Sequence, residues 1–111
     1  MFSGSDTVEE ILKLLGQRLA EHRKSLRMTQ ADLAARAGIS KRSLERLEGG
    51  VANPGLDVFV RTCSALGLVD GFERLLPPIE LGPLALARGE RMPKRIRAKR
   101  KVSGAKWKDD V

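Results

Sequence analysis

The chain has 111 residues and a formal net charge of +7, which is enough for one compact domain of roughly 60 to 80 residues and an extension. Aromatic residues are scarce, so a core of Leu, Ala, Val and Ile favours helices over a β-sandwich. One cysteine, Cys63, and one histidine, His22, exclude an internal disulfide and a thiolate or imidazole metal set, and we expect no cofactor. No long apolar run or signal-peptide pattern is visible, which favours a cytoplasmic protein without a membrane partner.

The positive charge is concentrated at the end of the chain. Residues 1–76 hold 11 Lys/Arg and 10 Asp/Glu, whereas residues 77–111 hold 10 and 4. We therefore predict a nearly neutral domain over residues 6–76 and a basic extension over residues 77–111. The extension has too little apolar content to order itself, so we expect it to be flexible unless a partner orders it.

The first predicted helix begins at the N-cap Asp6, with Glu9 three residues later, and frays near Ser25. Gly16 interrupts its apolar face and costs on the order of 1 kcal/mol relative to Ala. That cost indicates a close approach by a neighbouring segment. The apolar face consists of Ile11, Leu12, Leu15 and Leu19.

The next two predicted helices are short. Thr29 is a predicted N-cap with Asp32 as its partner, and Gly38 ends a helix over residues 30–37 because glycine adopts the left-handed conformation cheaply. Ser40 caps the following helix, which runs to about Glu48 and is stopped by two glycines.

Two further helices follow a turn at residues 51–55. The fourth ends at Gly67, and its predicted core face comprises Leu56, Phe59, Val60, Cys63 and Leu66. The fifth, from about Asp70 to Leu76, is predicted to bury Phe72, Leu75 and Leu76 before Pro77 stops it. Residues 79–89, at the beginning of the extension, are punctuated by Pro and Gly.

The spacing of small and apolar residues in the second and third helices is typical of a helix-turn-helix, which presents its second helix to the DNA major groove. Ala34 is small where the two helices cross, and Gly38 makes the turn. The other residues of the motif are predicted to form the core between the helices: Leu33, Ala37, Ile39, Leu44 and Leu47. No catalytic constellation accompanies this motif, so an enzyme is not expected.

The stretch Leu19–Gly67 resembles the Cro/C1-type (XRE family) helix-turn-helix of phage repressors, through T-Q-A-D-L-A-A-R-A-G-I-S-K-R-S-L-E-R-L-E-G-G. The resemblance implies an all-α, five-helix, lambda-repressor-like domain that binds operator DNA as a transcriptional repressor. It also implies a homodimer with reading helices about 34 Å apart. We expect the fourth and fifth helices to form the dimer surface, with exposed residues near Leu68, Val69 and Phe72.

The resemblance also implies residue roles. Base reading falls on Lys41, Arg42 and Arg46, whose side chains suit guanine O6 and N7. Phosphate contacts fall on Thr29, Gln30, Ser40 and Ser43. A structural ion pair between Arg23 and Glu48 would hold the reading helix at a fixed angle.

The extension resembles the C-terminal segments of HipB-like antitoxins, with a basic stretch, R-G-E-R-M-P-K-R-I-R-A-K-R-K, before Trp107 and an acidic end. This resemblance implies an autorepressing antitoxin of a HipBA-like toxin–antitoxin operon that binds a HipA-like kinase toxin through Trp107. Two alternatives stay open: a stand-alone repressor with a nonspecific basic DNA-binding arm, and an interaction module that has lost DNA binding.

Overall fold

The computed structural model describes residues 1–51 and 53–96. Those residues contain no β-strand, and they form six α-helices and one 3₁₀ turn at Val69–Gly71. The described residues divide into two compact units, the first over Met1–Pro77 and the second beginning at Pro78. The helices are α1 (Val8–Ser25), α2 (Gln30–Ala37), α3 (Lys41–Glu48), α4 (Leu56–Ala65), α5 (Phe72–Leu75) and α6 (Pro83–Ala87).

The first unit contains five helices, α1 to α5, and the predicted all-α fold is confirmed. The second unit contains α6, a short helix that the sequence analysis did not predict. Pro83 occupies the first turn of α6, a position in which its fixed φ suits a helix and its missing N–H costs nothing. Within the described residues, no helix combines the length and apolarity needed to cross a membrane.

The predicted start of α1 was wrong by one residue. Thr7 is the N-cap: its hydroxyl accepts from the Glu10 amide at 3.1 Å, and the Glu10 carboxylate accepts from the Thr7 amide at 2.8 Å. The Asp6 carboxylate instead accepts from the Ser3 amide at 2.9 Å and closes a turn before the helix. Asp6 with Glu9 and Thr7 with Glu10 both have the spacing of a capping box. The extended backbone of Thr7 makes it the N-cap.

The core of the first unit lies where α2 and α3 cross and pack against α4, with α1 against α3. Leu33 of α2, Leu44 of α3 and Thr62 of α4 are fully buried. Leu19, Ala34, Leu47, Cys63 and Leu66 surround them.

The predicted core face of α4 was partly wrong. Leu56 and Val60 are exposed, whereas Thr62 is buried and donates a hydrogen bond from its hydroxyl to the Val58 carbonyl at 2.8 Å. Because that bond satisfies the hydroxyl, threonine can replace an aliphatic residue in the core. Phe59, Cys63 and Leu66 do contact the core as predicted.

Two of the three predicted core residues of the fifth helix also lie outside the core. Phe72 packs against Phe59, with ring centroids 6.1 Å apart. Leu75 and Leu76 are 68% and 77% exposed. Helix α5 has only four residues, so the chain leaves the helix at Leu75 and its apolar side chains lie on the surface.

Candidate nucleic-acid interface

The central feature of the site is an ion pair that joins the end of α1 to the end of α3. Arg23 Nε lies 2.8 Å from Glu48 Oε2, and Arg23 Nη2 lies 3.1 Å from Glu48 Oε1. Their side chains are 10% and 6% exposed. Arg23 Nη1 also donates to the Met28 carbonyl at 2.9 Å. The structure thus brings together the predicted pair as a bidentate ion pair, which fixes the relative orientation of the two side chains as well as their distance.

Gly16 explains how α1 comes close enough to α3 for this pair to form. A Cβ at Gly16 would lie 2.6 Å from the Leu47 carbonyl oxygen and in still closer contact with that of Glu48. The predicted close approach is therefore confirmed, and its partner is the last turn of α3. Only a residue without a side chain allows this spacing.

Gln30 joins the ion pair from the beginning of α2. Its amide nitrogen Nε2 donates to Glu48 Oε1 at 3.0 Å. An amide nitrogen carries two N–H groups and an amide has a separate carbonyl oxygen, so one donor and the acceptor remain for another partner. Glu48, at the end of α3, consequently binds one residue from each of two neighbouring helices, Arg23 of α1 and Gln30 of α2.

Helix α3 carries the three residues predicted to read bases. Lys41, Arg42 and Arg46 are all exposed, whereas Leu44 and Leu47 on the same helix are buried in the core. Lys41 Nζ lies 3.8 Å from Glu45 Oε2, and both side chains are about half exposed or more. A solvated pair of this kind is weak, so it leaves the lysine available to an anionic ligand.

Two of the predicted phosphate-contacting hydroxyls, those of Thr29 and Ser40, also serve as helix caps. The Thr29 hydroxyl accepts from the Asp32 amide at 3.0 Å, and the Ser40 hydroxyl accepts from the Ser43 amide at 3.0 Å. The Ser40 hydroxyl donates to the Ser43 hydroxyl at 2.9 Å. These bonds place three hydroxyl groups at the beginnings of α2 and α3, where free backbone N–H groups favour an anion.

The Asp32 carboxylate completes the cap of α2 by accepting from the Thr29 amide at 3.0 Å. That backbone hydrogen bond, followed by the bond with the Thr29 hydroxyl and the charge of Arg36, holds the pKa of Asp32 below its ordinary value. The beginning of α2 therefore carries a stably ionised carboxylate, and its first turn has no basic residue.

Sequence reasoning did not single out two exposed basic residues, Lys24 in the last turn of α1 and Arg27 in the connection between α1 and α2. Their signal was their position directly before the capped start of α2. Trp107, the predicted toxin contact, lies outside the described residues. Within residues 1–51 and 53–96, no group of three His, Cys, Asp or Glu side chains could hold a metal ion.

Comparison with known proteins covers the same part of the chain. Residues 14–76 match the family described as "Helix-turn-helix domain". A 49-residue stretch is 41% identical to a protein of Methanothermobacter thermautotrophicus named an uncharacterized HTH-type transcriptional regulator. The match covers 44% of this chain and 71% of that protein.

Proposed function

The chain belongs to the helix-turn-helix domain family, and from that membership we propose that it is a DNA-binding transcriptional regulator of the Cro/C1 type, a sequence-specific repressor and not an enzyme. The observation that carries the proposal is the exposure of Lys41, Arg42 and Arg46 on the helix that the ion pair fixes in place. The regulator name of the relative supports the same function.

In the proposed complex, α3 lies in the major groove and its three basic side chains contact base edges. A bidentate contact from arginine to guanine O6 and N7 is worth about 1–3 kcal/mol of discrimination against the wrong base. Thr29, Gln30, Ser40 and Ser43 contact phosphates and set the position of α3 along the duplex without reading sequence.

We propose that the repressor binds as a homodimer, because one helix of eight residues offers few base contacts. The predicted dimer surface needs revision, since Leu68 and Phe72 are half-buried against the core of their own chain. Val69, Leu75 and Leu76 are exposed apolar residues of the same region and are better candidates for the contact.

The test is selection of a duplex from a random-sequence pool by the unaltered chain, followed by binding in excess nonspecific competitor DNA. Arg42→Ala is expected to weaken binding about 10-fold and to relax the preference at one base pair. Arg18→Ala, which removes an exposed arginine from α1, is the matched control and should retain that preference. Failure to enrich any sequence would favour an interaction module that has lost DNA binding.

A second candidate function, the HipB-like antitoxin, depends on the extension. Its described part carries Arg88, Arg91, Lys94 and Arg95 within eight residues, and only Arg88 among them pairs with an acidic residue, Glu90, at 3.0 Å. The net positive charge that remains suits an acidic partner or phosphates. Deleting residues 88–111 separates the alternatives. Loss of binding to a co-expressed kinase toxin with intact operator recognition supports the antitoxin, whereas a loss of affinity for all DNA sequences supports a nonspecific arm.

A further inference from the structure

Arg27 has a backbone conformation that its side chain disfavours. Its φ is +58°, in the left-handed region, and it lies in the connection between α1 and α2. Its amide donates to the Lys24 carbonyl at 2.9 Å, and the Met28 amide donates to the Arg23 carbonyl at 3.2 Å. This is the hydrogen-bonding pattern that ends many helices, and glycine is the residue that adopts it without strain.

The connection is held firmly in spite of that strain. Arg23 Nη1 donates to the Met28 carbonyl at 2.9 Å, so the buried ion pair also fixes the residue after Arg27. The Arg27 side chain itself is exposed. A charged residue is therefore displayed from a fixed backbone position, at a site where glycine would give a less strained fold.

The beginning of α2 differs from the beginning of α3 in its charged residues. The first turn of α2 contains Asp32 and no basic residue, whereas that of α3 contains Lys41 and Arg42 and no acidic residue. The Gln30 amide already shares one N–H with Glu48, and the Thr29 hydroxyl accepts within the cap. A phosphate at the beginning of α2 thus meets polar groups that are partly used and a nearby carboxylate.

We propose that Arg27 binds a DNA backbone phosphate at the beginning of α2 and supplies the positive charge that this helix lacks. The inference rests on the proposed DNA binding and adds a residue to it. Arg27 precedes Thr29 by two residues and Gln30 by three in the sequence, and its long side chain carries five N–H donors that suit a phosphate. Arg27 positions the protein and does not read bases.

The test compares Arg27→Asn with Arg27→Lys on the duplex that the unaltered chain selects from a random pool. Asparagine tolerates the left-handed conformation and removes the charge, whereas lysine keeps the charge on the same strained backbone. Arg18→Gln is the control for removal of one exposed positive charge elsewhere in the same unit, on α1.

Arg27→Asn is expected to weaken binding to selected and scrambled duplexes alike, by about 5- to 10-fold at 0.1 M salt, and to reduce the slope of log K against log salt by about 0.9 for each chain bound. The thermal midpoint should stay unchanged or rise, because the strain is relieved. Arg27→Lys should retain the slope and most of the affinity, and Arg18→Gln should leave the slope unaltered.

A single methylphosphonate substitution in the duplex identifies the phosphate. The neutral linkage that weakens the unaltered chain should have no effect on Arg27→Asn. An unchanged slope in Arg27→Asn, or a slope that falls equally in Arg18→Gln, would overturn the inference while leaving sequence-specific binding intact. If the unaltered chain selects no duplex, the proposed function fails together with it.

Discussion

Replacing Glu48 by alanine removes one carboxylate that accepts three side-chain hydrogen bonds. Two come from Arg23, at 2.8 and 3.1 Å, and one from Gln30, at 3.0 Å. The Arg23 side chain is only 10% exposed, and its remaining bond goes to the Met28 carbonyl. The variant therefore retains a buried guanidinium without its counter-charge, which costs about 3–5 kcal/mol.

Thermal unfolding followed by circular dichroism measures this loss. For a unit of this size, about 1 kcal/mol lowers Tm by 4–8 °C, so Glu48→Ala should lower Tm on the order of 20 °C. DNA binding should weaken in parallel, because the angle of α3 and the Gln30 amide both depend on Glu48. The double variant Arg23→Met with Glu48→Leu leaves no unpaired charge and should lose much less stability.

A Tm for Glu48→Ala within about 5 °C of the unaltered chain would refute this reasoning, because it corresponds to roughly 1 kcal/mol. Equal destabilisation in the double variant would also contradict it. That result would mean that packing, and not the uncompensated charge, sets the cost.

Further predictions concern two glycines, a helix cap and a buried thiol. Gly16→Ala should lower the free energy of unfolding, measured by urea titration, more than Gly38→Ala does. A Cβ at Gly16 would lie 2.6 Å from a backbone oxygen, whereas one at Gly38 would lie 3.6 Å from a flexible arginine and add only the strain of its positive φ. Equal losses of stability in the two variants would contradict the close approach at Gly16. Because the folded pKa of Asp32 lies below its ordinary value, its contribution to stability is complete well above that ordinary value and is lost as pH falls through the folded pKa. Asp32→Asn should therefore flatten the stability curve in that acidic range. Burial raises the pKa of the Cys63 thiol, so an aromatic disulfide reagent should react slowly with the folded chain and rapidly in denaturant. A fast reaction with the folded chain would argue against a core position for Cys63.

The helix-turn-helix could be predicted closely because its signals are local. The bounds of α2 and α3 follow from Thr29, Gly38 and Ser40, whose caps act within one helical turn. The left-handed conformation of Gly38, with φ of +71°, is the one expected for its place in the turn. Gly16 likewise predicted a close contact, although the sequence alone did not identify the segment that packs against it.

The errors came from features that depend on distant parts of the chain. The face of α4 that reaches the core is set by α2 and α3, and a threonine hydroxyl bonded to its own helix made Thr62 a core residue. Leu75 and Leu76 were predicted to be core residues because they are apolar, yet α5 ends before it can bury them. The link from Gln30 to Glu48 spans 18 positions and has no local pattern.

The most direct test of the account measures the ratio of affinities for the selected duplex and a scrambled duplex, in the unaltered chain and in a variant with alanine at Lys41, Arg42 and Arg46. The three side chains are exposed, so the variant should fold normally. We predict a ratio of about 10³ or more for the unaltered chain and a ratio near one for the variant. A variant that retains its preference for the selected duplex would contradict base reading by α3.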